Sequence, residues 1–202
     1  MTRTTRYKVA YGVLVAVLGG IAVVVLNAFS YSLAAVLVTA LVLMIPGRIQ
    51  GHYWREFFQA RRLIADRRWR EAEPLFQHFL DRVEREPSLK RFIWLGYGVY
   101  TRDIAAMALN NLGVCALEEG RFGAAETHLN RAAMLDLEYA VPHFNLAIVY
   151  QALGKTEAAQ RAWSRSQELG YRRTPIDLVV HKAGEVLARI EGRGVGPAHG
   201  AA

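Results

Sequence analysis

The feature that most constrains this chain is self-similarity at a spacing of 34 residues: Asn111-Leu112-Gly113 returns as Asn145-Leu146-Ala147, Gly120 as Gly154, Ala124-Ala125 as Ala158-Ala159, and Leu129 as Trp163. A repeat of this length is one supersecondary unit that cannot bury its apolar face alone, so like units must stack side by side. Each unit has the same physical grammar. A helix with helical apolar spacing ends at a turn Gly, and a second amphipathic helix starts just beyond it. Small residues at Gly113/Ala147 and Ala125/Ala159 sit where the paired helices cross, and Leu109, Leu112, Leu129, Leu146, Tyr150 and Trp163 fill the space around the crossing.

At these residues the sequence resembles two consecutive tetratricopeptide repeats (TPR). ALNNLGVCALEEGRFGAAETHLNRAAMLD follows the family pattern nearly throughout, with small Ala132 in the second helix. PHFNLAIVYQALGKTEAAQRAW follows it with two departures, Ser166 at the usual second-helix alanine and Thr156 where an aromatic is common. The units are placed at 106–139 and 140–173. A degenerate unit is placed at 53–86, where Trp69, Ala72 and Phe76 carry the second-helix pattern. There Arg67 stands in the turn-Gly position, and Pro74 falls near the start of the second helix, tolerable in a first turn. Residues 87–105 are an insertion relative to a regular array. Its Phe92, Ile93, Trp94, Tyr97 and Tyr100, with Gly96 and Gly98, have two readings: core filling between imperfect repeats, or an exposed docking patch.

A solenoid's last repeat needs a cap. Thr174-Pro175 starts a helix over 175–191 with Asp177 in its first turn and an apolar stripe of Ile176, Val179, Val180, Ala183, Leu187 and Ile190. Gly- and Ala-rich residues 192–202 read as a disordered tail.

The fifty N-terminal residues are of another kind. The chain is 52% apolar, and the excess lies before Pro46. Residues 9–26 hold no ionisable group but the Tyr11 phenol, and 28–45 are again uncharged, with Asn27, Ser30 and Ser32 between them. At about 1.5 Å per residue each stretch just reaches across a ~30 Å hydrocarbon core. The expectation is a transmembrane hairpin over 1–47 with spans 9–26 and 28–45; a shallow re-entrant hairpin stays open. A signal peptide fits less well, because a second apolar stretch follows at once. Gly12, Ala16 and Gly20 share a helix face for the hairpin's own second helix (Ala35, Thr39) or for a partner's helix. Arg3, Arg6 and Lys8 precede the first span, and Arg48, Arg55, Arg61, Arg62, Arg67, Arg68 and Arg70 follow the second. The positive-inside rule then places both termini in the cytoplasm, the protein being multi-pass in a bacterial-type inner membrane. The same arginines are candidates for contact with an anionic lipid surface. Without a zinc-finger or RNA-recognition motif, the net charge of +7 points to lipid and not to nucleic acid.

No chemistry is legible. The six histidines show no zinc spacing, His181 and Glu185 alone make at most half a site, and Cys115 reads as an inert thiol. There is no P-loop, GxSxG or GxGxxG. No catalytic residue, metal or cofactor is expected. The expected fold is all-α, a transmembrane hairpin followed by a short TPR-like solenoid over 48–191 that ends in its capping helix, and the resemblance implies an adaptor. Its first helices would line a groove for a protein partner. Asn110, Asn111, Val114, Phe144, Asn145 and Ile148 are the candidate peptide-binding residues, with Leu117 and Gln151 beside them. Asn111 and Asn145 would grip a peptide backbone, since an amide both donates and accepts. The expected function is a membrane-anchored scaffold or assembly factor. An accessory subunit bound through its hairpin, and a membrane-associated enzyme, are the alternatives; the oligomeric state is not legible.

Overall fold

The computed structural model describes residues 3–30, 32–95, 101–171 and 174–194, and every regular element among them is helical. Gly96, Tyr97, Gly98 and Tyr100, the tail from 195, and the side chains of Arg3, Arg6, Lys8, Tyr11, Phe92 and Trp94 lie outside the described set.

Helices α1 (Arg3–Ala28) and α2 (Leu33–Tyr53) form an N-terminal hairpin. No helix of the described residues is long and apolar enough to cross a membrane. This overturns the two transmembrane spans, the multi-pass location in an inner membrane and the orientation derived from them. In α2 the shortfall is one of length. The turn at 29–32 removes residues from the second uncharged stretch, Ser32 caps α2 by accepting the Ala35 N–H, and α2 turns polar beyond Ile45. Residues 33–45 cover about 20 Å and 9–26 about 27 Å, against a ~30 Å core. Half-buried Leu14, Leu18, Ala22 and Val25 mark the side of α1 turned inward, and Ala35 and Thr39 that of α2. The small-residue face is not that seam, since a Cβ added at Gly12 or Gly20 would meet nothing within 4 Å.

Beyond Trp54 the helices come in pairs: α3 (Arg55–Ala65) with α4 (Trp69–Arg85), α5 (Ile104–Glu118) with α6 (Phe122–Leu135), and α7 (Ala140–Ala152) with α8 (Thr156–Glu168). The turns explain the pairing. Arg67, Gly120, Gly154 and Gly170 all have positive φ, from 59° to 85°, and the residue after each donates to a carbonyl five positions back, as Arg121 N–H does to Ala116. That is the left-handed helix stop, in which a reversed residue closes the last carbonyls. The turn at Arg67 precedes that at Gly120 by 53 residues, longer than the repeat by the 19 residues of the insertion. Pro74 stands at the sixth residue of α4, past the first turn expected for it, and removes a donor from within the helix.

The insertion contains a 3₁₀ segment, Pro87–Leu95, that packs against α4, α1 and α2. Leu89 and Ile93 are buried there with Trp54, Phe57, Phe76 and Phe79, and the Trp54 indole N–H donates to the Leu89 carbonyl at 3.2 Å. These positions serve the core reading of the insertion. Helix α9 (Asp177–Gly194) runs three residues past the expected end of the cap. Its buried stripe is Val179, Ala183 and Val186, while Val180 is 48% exposed, so the stripe is turned slightly from the expected one.

Candidate functional site

The candidate face is built from the first helix of each pair. Asn111 and Asn145 hold equivalent positions on α5 and α7, yet the hydrogen bond runs from the Asn145 amide to the Asn110 carbonyl oxygen, at 2.9 Å. Asn110 is 5% exposed, so that bond joins adjacent first helices and supplies a buried amide with a partner. Asn111, Val114, Asn145 and Gln151 are half-buried. Phe144 and Ile148 are buried, Phe144 with its ring stacked on Tyr171 at 4.5 Å between centroids.

What buries them is the C-terminal segment. Helix α9 packs against α7 and touches α5, and Leu117, Phe144 and Ile148 share one apolar cluster with Val179, Ala183 and Val186. Two contacts fix its far end. The Arg189 guanidinium pairs with Glu118 at 2.7 Å, and Ile190 lies so near Gly120 that an added Cβ would sit 2.9 Å from it. The connection into α9 is held where the Trp163 indole N–H donates to the Thr174 carbonyl at 3.1 Å. The face expected to be an open groove thus carries an amphipathic helix over Leu117, Phe144 and Ile148, leaving Asn111 and Val114 as half-accessible members. The apolar stripe of α9 was legible in sequence; which surface it covers was not, because a stripe records that a face is buried and not against what.

A second polar centre had no sequence signal. Asp136, 3% exposed, accepts from the Thr101 hydroxyl at 2.7 Å, the Arg102 N–H at 2.9 Å and the Glu138 N–H at 3.1 Å. One carboxylate therefore ties the end of the insertion to the α6–α7 connection, 34 residues away. Beside it Tyr139 is buried, and burial pushes its phenol well above the ordinary range. A cavity of about 420 Å³ lies among Leu80, Val83, Leu109, Met134 and Leu135, with Lys90 in its lining held by Asp103 at 2.7 Å.

Burial pushes the Cys115 thiol up to about 12, so the nucleophilic thiolate is scarce. His128 and His143 are lowered, by burial first and then by Arg131 and Arg165 respectively. His181 and Glu185 lie 3.7 Å apart on the exposed side of α9, and among the described residues no three metal-ligating side chains come together. The seven arginines are all exposed. Arg68 pairs with Glu71 and Arg70 with Glu119, each at 2.6 Å. Arg48 lies in α2, Arg55, Arg61 and Arg62 in α3, and Arg67 in the α3–α4 turn. No protein-family model matches the chain, and no curated protein matches it.

Proposed function

We propose that this chain is a protein-interaction scaffold of the TPR type, which holds a segment of another protein on the face formed by α3, α5 and α7. The observation that carries this reading is α9 itself. The first-helix face already seats an amphipathic helix by apolar contacts with Leu117, Phe144 and Ile148 and one ion pair at Glu118. Helix-in-groove recognition uses the same elements, apolar anchors at helical spacing and a few polar fixings. The bound segment lies beside α9 over Asn111 and Val114, the half-accessible part of the face. The repeat at 34 residues and the four left-handed turns support the TPR assignment.

The test is site-specific photocrosslinking in cells that make the protein naturally. A photoreactive residue at Asn111 or Val114 is expected to give discrete protein adducts, and one at Gln160, exposed on α8, is not. Asn111→Ala should then weaken the identified interaction by one neutral hydrogen bond, about 2- to 13-fold, with an unchanged helical spectrum. Adducts from Gln160 alone, or from neither face, would rule this surface out.

A further inference from the structure

The N-terminal hairpin is not accounted for by a scaffold function. In α1, Val9, Val13, Val15, Val17, Ile21, Val23 and Val24 are each at least 48% exposed, and in α2 Leu33, Val36, Leu37, Val38, Leu41, Met44 and Ile45 are each at least 41% exposed. At 3.6 residues per turn these positions spread over about 240° of α1 and about 200° of α2. A partner helix or a second copy covers a stripe of roughly 100°. An apolar surface that wraps so far round needs surroundings on every side, which a fluid hydrocarbon phase provides.

Three further observations identify that phase and limit how far the hairpin enters it. Four donors at the tip are bonded within the hairpin. Phe29 N–H donates to the Val25 carbonyl, Ser30 N–H to Asn27, Ser32 N–H to Phe29, and the Asn27 amide to the Val23 carbonyl, all at 3.0–3.1 Å. A turn with its donors bonded internally loses less on leaving water. Around it, Phe29 and Leu33 are 63% and 74% exposed. The base of the hairpin is dressed for a polar interface, with Tyr53 39% exposed and Arg48 and Arg55 both exposed and in no ion pair among the described residues. Finally, among the described residues neither helix is long and apolar enough to cross.

We propose that the α1–α2 hairpin inserts obliquely into a single leaflet of an anionic bilayer, a one-sided anchor whose tip stays within the hydrocarbon, with Arg48 and Arg55 at the headgroups. The anchor does not depend on what the repeat face binds.

The full chain tests this. A polarity-sensitive fluorophore is placed on Phe29→Cys in the folded protein, where Cys115 is buried, and the protein is mixed with vesicles of zwitterionic and anionic phospholipid. The protein should float with the vesicles and the label should be quenched by lipid-borne spin labels, while an impermeant quencher sealed inside the vesicles leaves it bright. Quenching from inside would overturn the one-leaflet anchor by showing that the hairpin crosses. Failure to float would overturn it too, and sedimentation as a dimer or larger species would then identify a second copy as the cover. Arg48→Gln with Arg55→Gln should lower partitioning at low salt about fivefold per arginine, about 30-fold together, with unchanged helical content. Equal partitioning of the unaltered protein onto purely zwitterionic vesicles would overturn the anionic requirement.

Discussion

At the scale of single residues, the repeat is written in close contacts and reversed backbones. A Cβ on Gly113 would stand 2.5 Å from Leu129 Cγ, so α5 and α6 approach as closely as they do because that side chain is absent. Ala125, fully buried, plays the same part on α6. The turns obey a different rule. Gly120, Gly154 and Gly170 reach positive φ without strain, whereas Arg67 does so at 59° with a full side chain. For an L-residue other than Gly, Asn or Asp this region costs about 1–2 kcal/mol. Arg67 is exposed, and among the described residues its side chain forms no hydrogen bond or ion pair that offsets it. Arg67→Gly should therefore stabilise the fold by about 1 kcal/mol, raising the melting temperature by about 2–4 °C in a chain of this size. Calorimetry checks this, and a lower melting temperature would mean that the arginine contributes more to the turn than its backbone costs.

At the scale of elements, the informative comparison is between α9 and the hairpin, two apolar segments with different fates. Helix α9 has one stripe, and that stripe is buried: Val179, Ala183 and Val186 are each at most 2% exposed. The hairpin has no polar side to turn outward, so packing α1 on α2 leaves most of each helix uncovered. The position of α9 yields a direct prediction. Val179→Asp would place a carboxylate in an apolar cluster with no cation to receive it, at a cost of several kcal/mol. The helix should then detach while the repeats below stay folded. Hydrogen exchange of the full chain should show lost amide protection in α9 and at Phe144 and Ile148, with α5 and α6 unchanged. Loss of protection throughout would mean that α9 is needed for the repeats to hold; no change would mean that Val179 is not buried against α7.

Across the whole molecule, the units are coupled by polar bridges as well as by apolar stacking. Arg70 reaches Glu119 at 2.6 Å and Arg121 reaches Glu73 at 2.5 Å, so α4 is tied to the α5–α6 turn by two crossed pairs despite the 19-residue insertion in between. Arg82 to Glu56 at 2.5 Å ties α4 to α3, and Arg189 to Glu118 ties α9 to α5. Global stability should also register the two depressed histidines. Burial, and then Arg131 and Arg165 respectively, hold the folded-state pKa of His128 and His143 below the ordinary value. In the unfolded chain they titrate near an ordinary value of about 6.5, so below that pH the unfolded state binds more protons. Stability should hold at neutral pH and fall as the pH drops below about 6.5 towards the lower folded values. Melting curves taken from pH 7 to 5 should show this decline, and His128→Gln should make it shallower. An identical slope in that variant would remove His128 from the account.

The sequence by itself determined the local design. Helical periodicity, the 34-residue recurrence and turn residues at Gly120, Gly154 and even Arg67 specify paired helices, because each of these signals acts over one or two turns of chain. It also marked the face carrying Asn110, Asn111, Val114, Phe144, Asn145 and Ile148. Tertiary structure alone decided what that face meets. The stripe of α9 reads the same whether it caps an end or lies across a groove, and only packing against α7 and α5 settles which. Asn110, and not Asn111, became the partner of Asn145 because the stagger between neighbouring helices sets which amides come within reach, and a repeat spacing does not encode stagger. The reach of the hairpin was likewise a matter of geometry. Counting uncharged residues gave two segments of spanning length, but the turn at 29–32 is drawn from the second of them and α2 turns polar beyond Ile45, so what remains there as apolar helix is too short to cross.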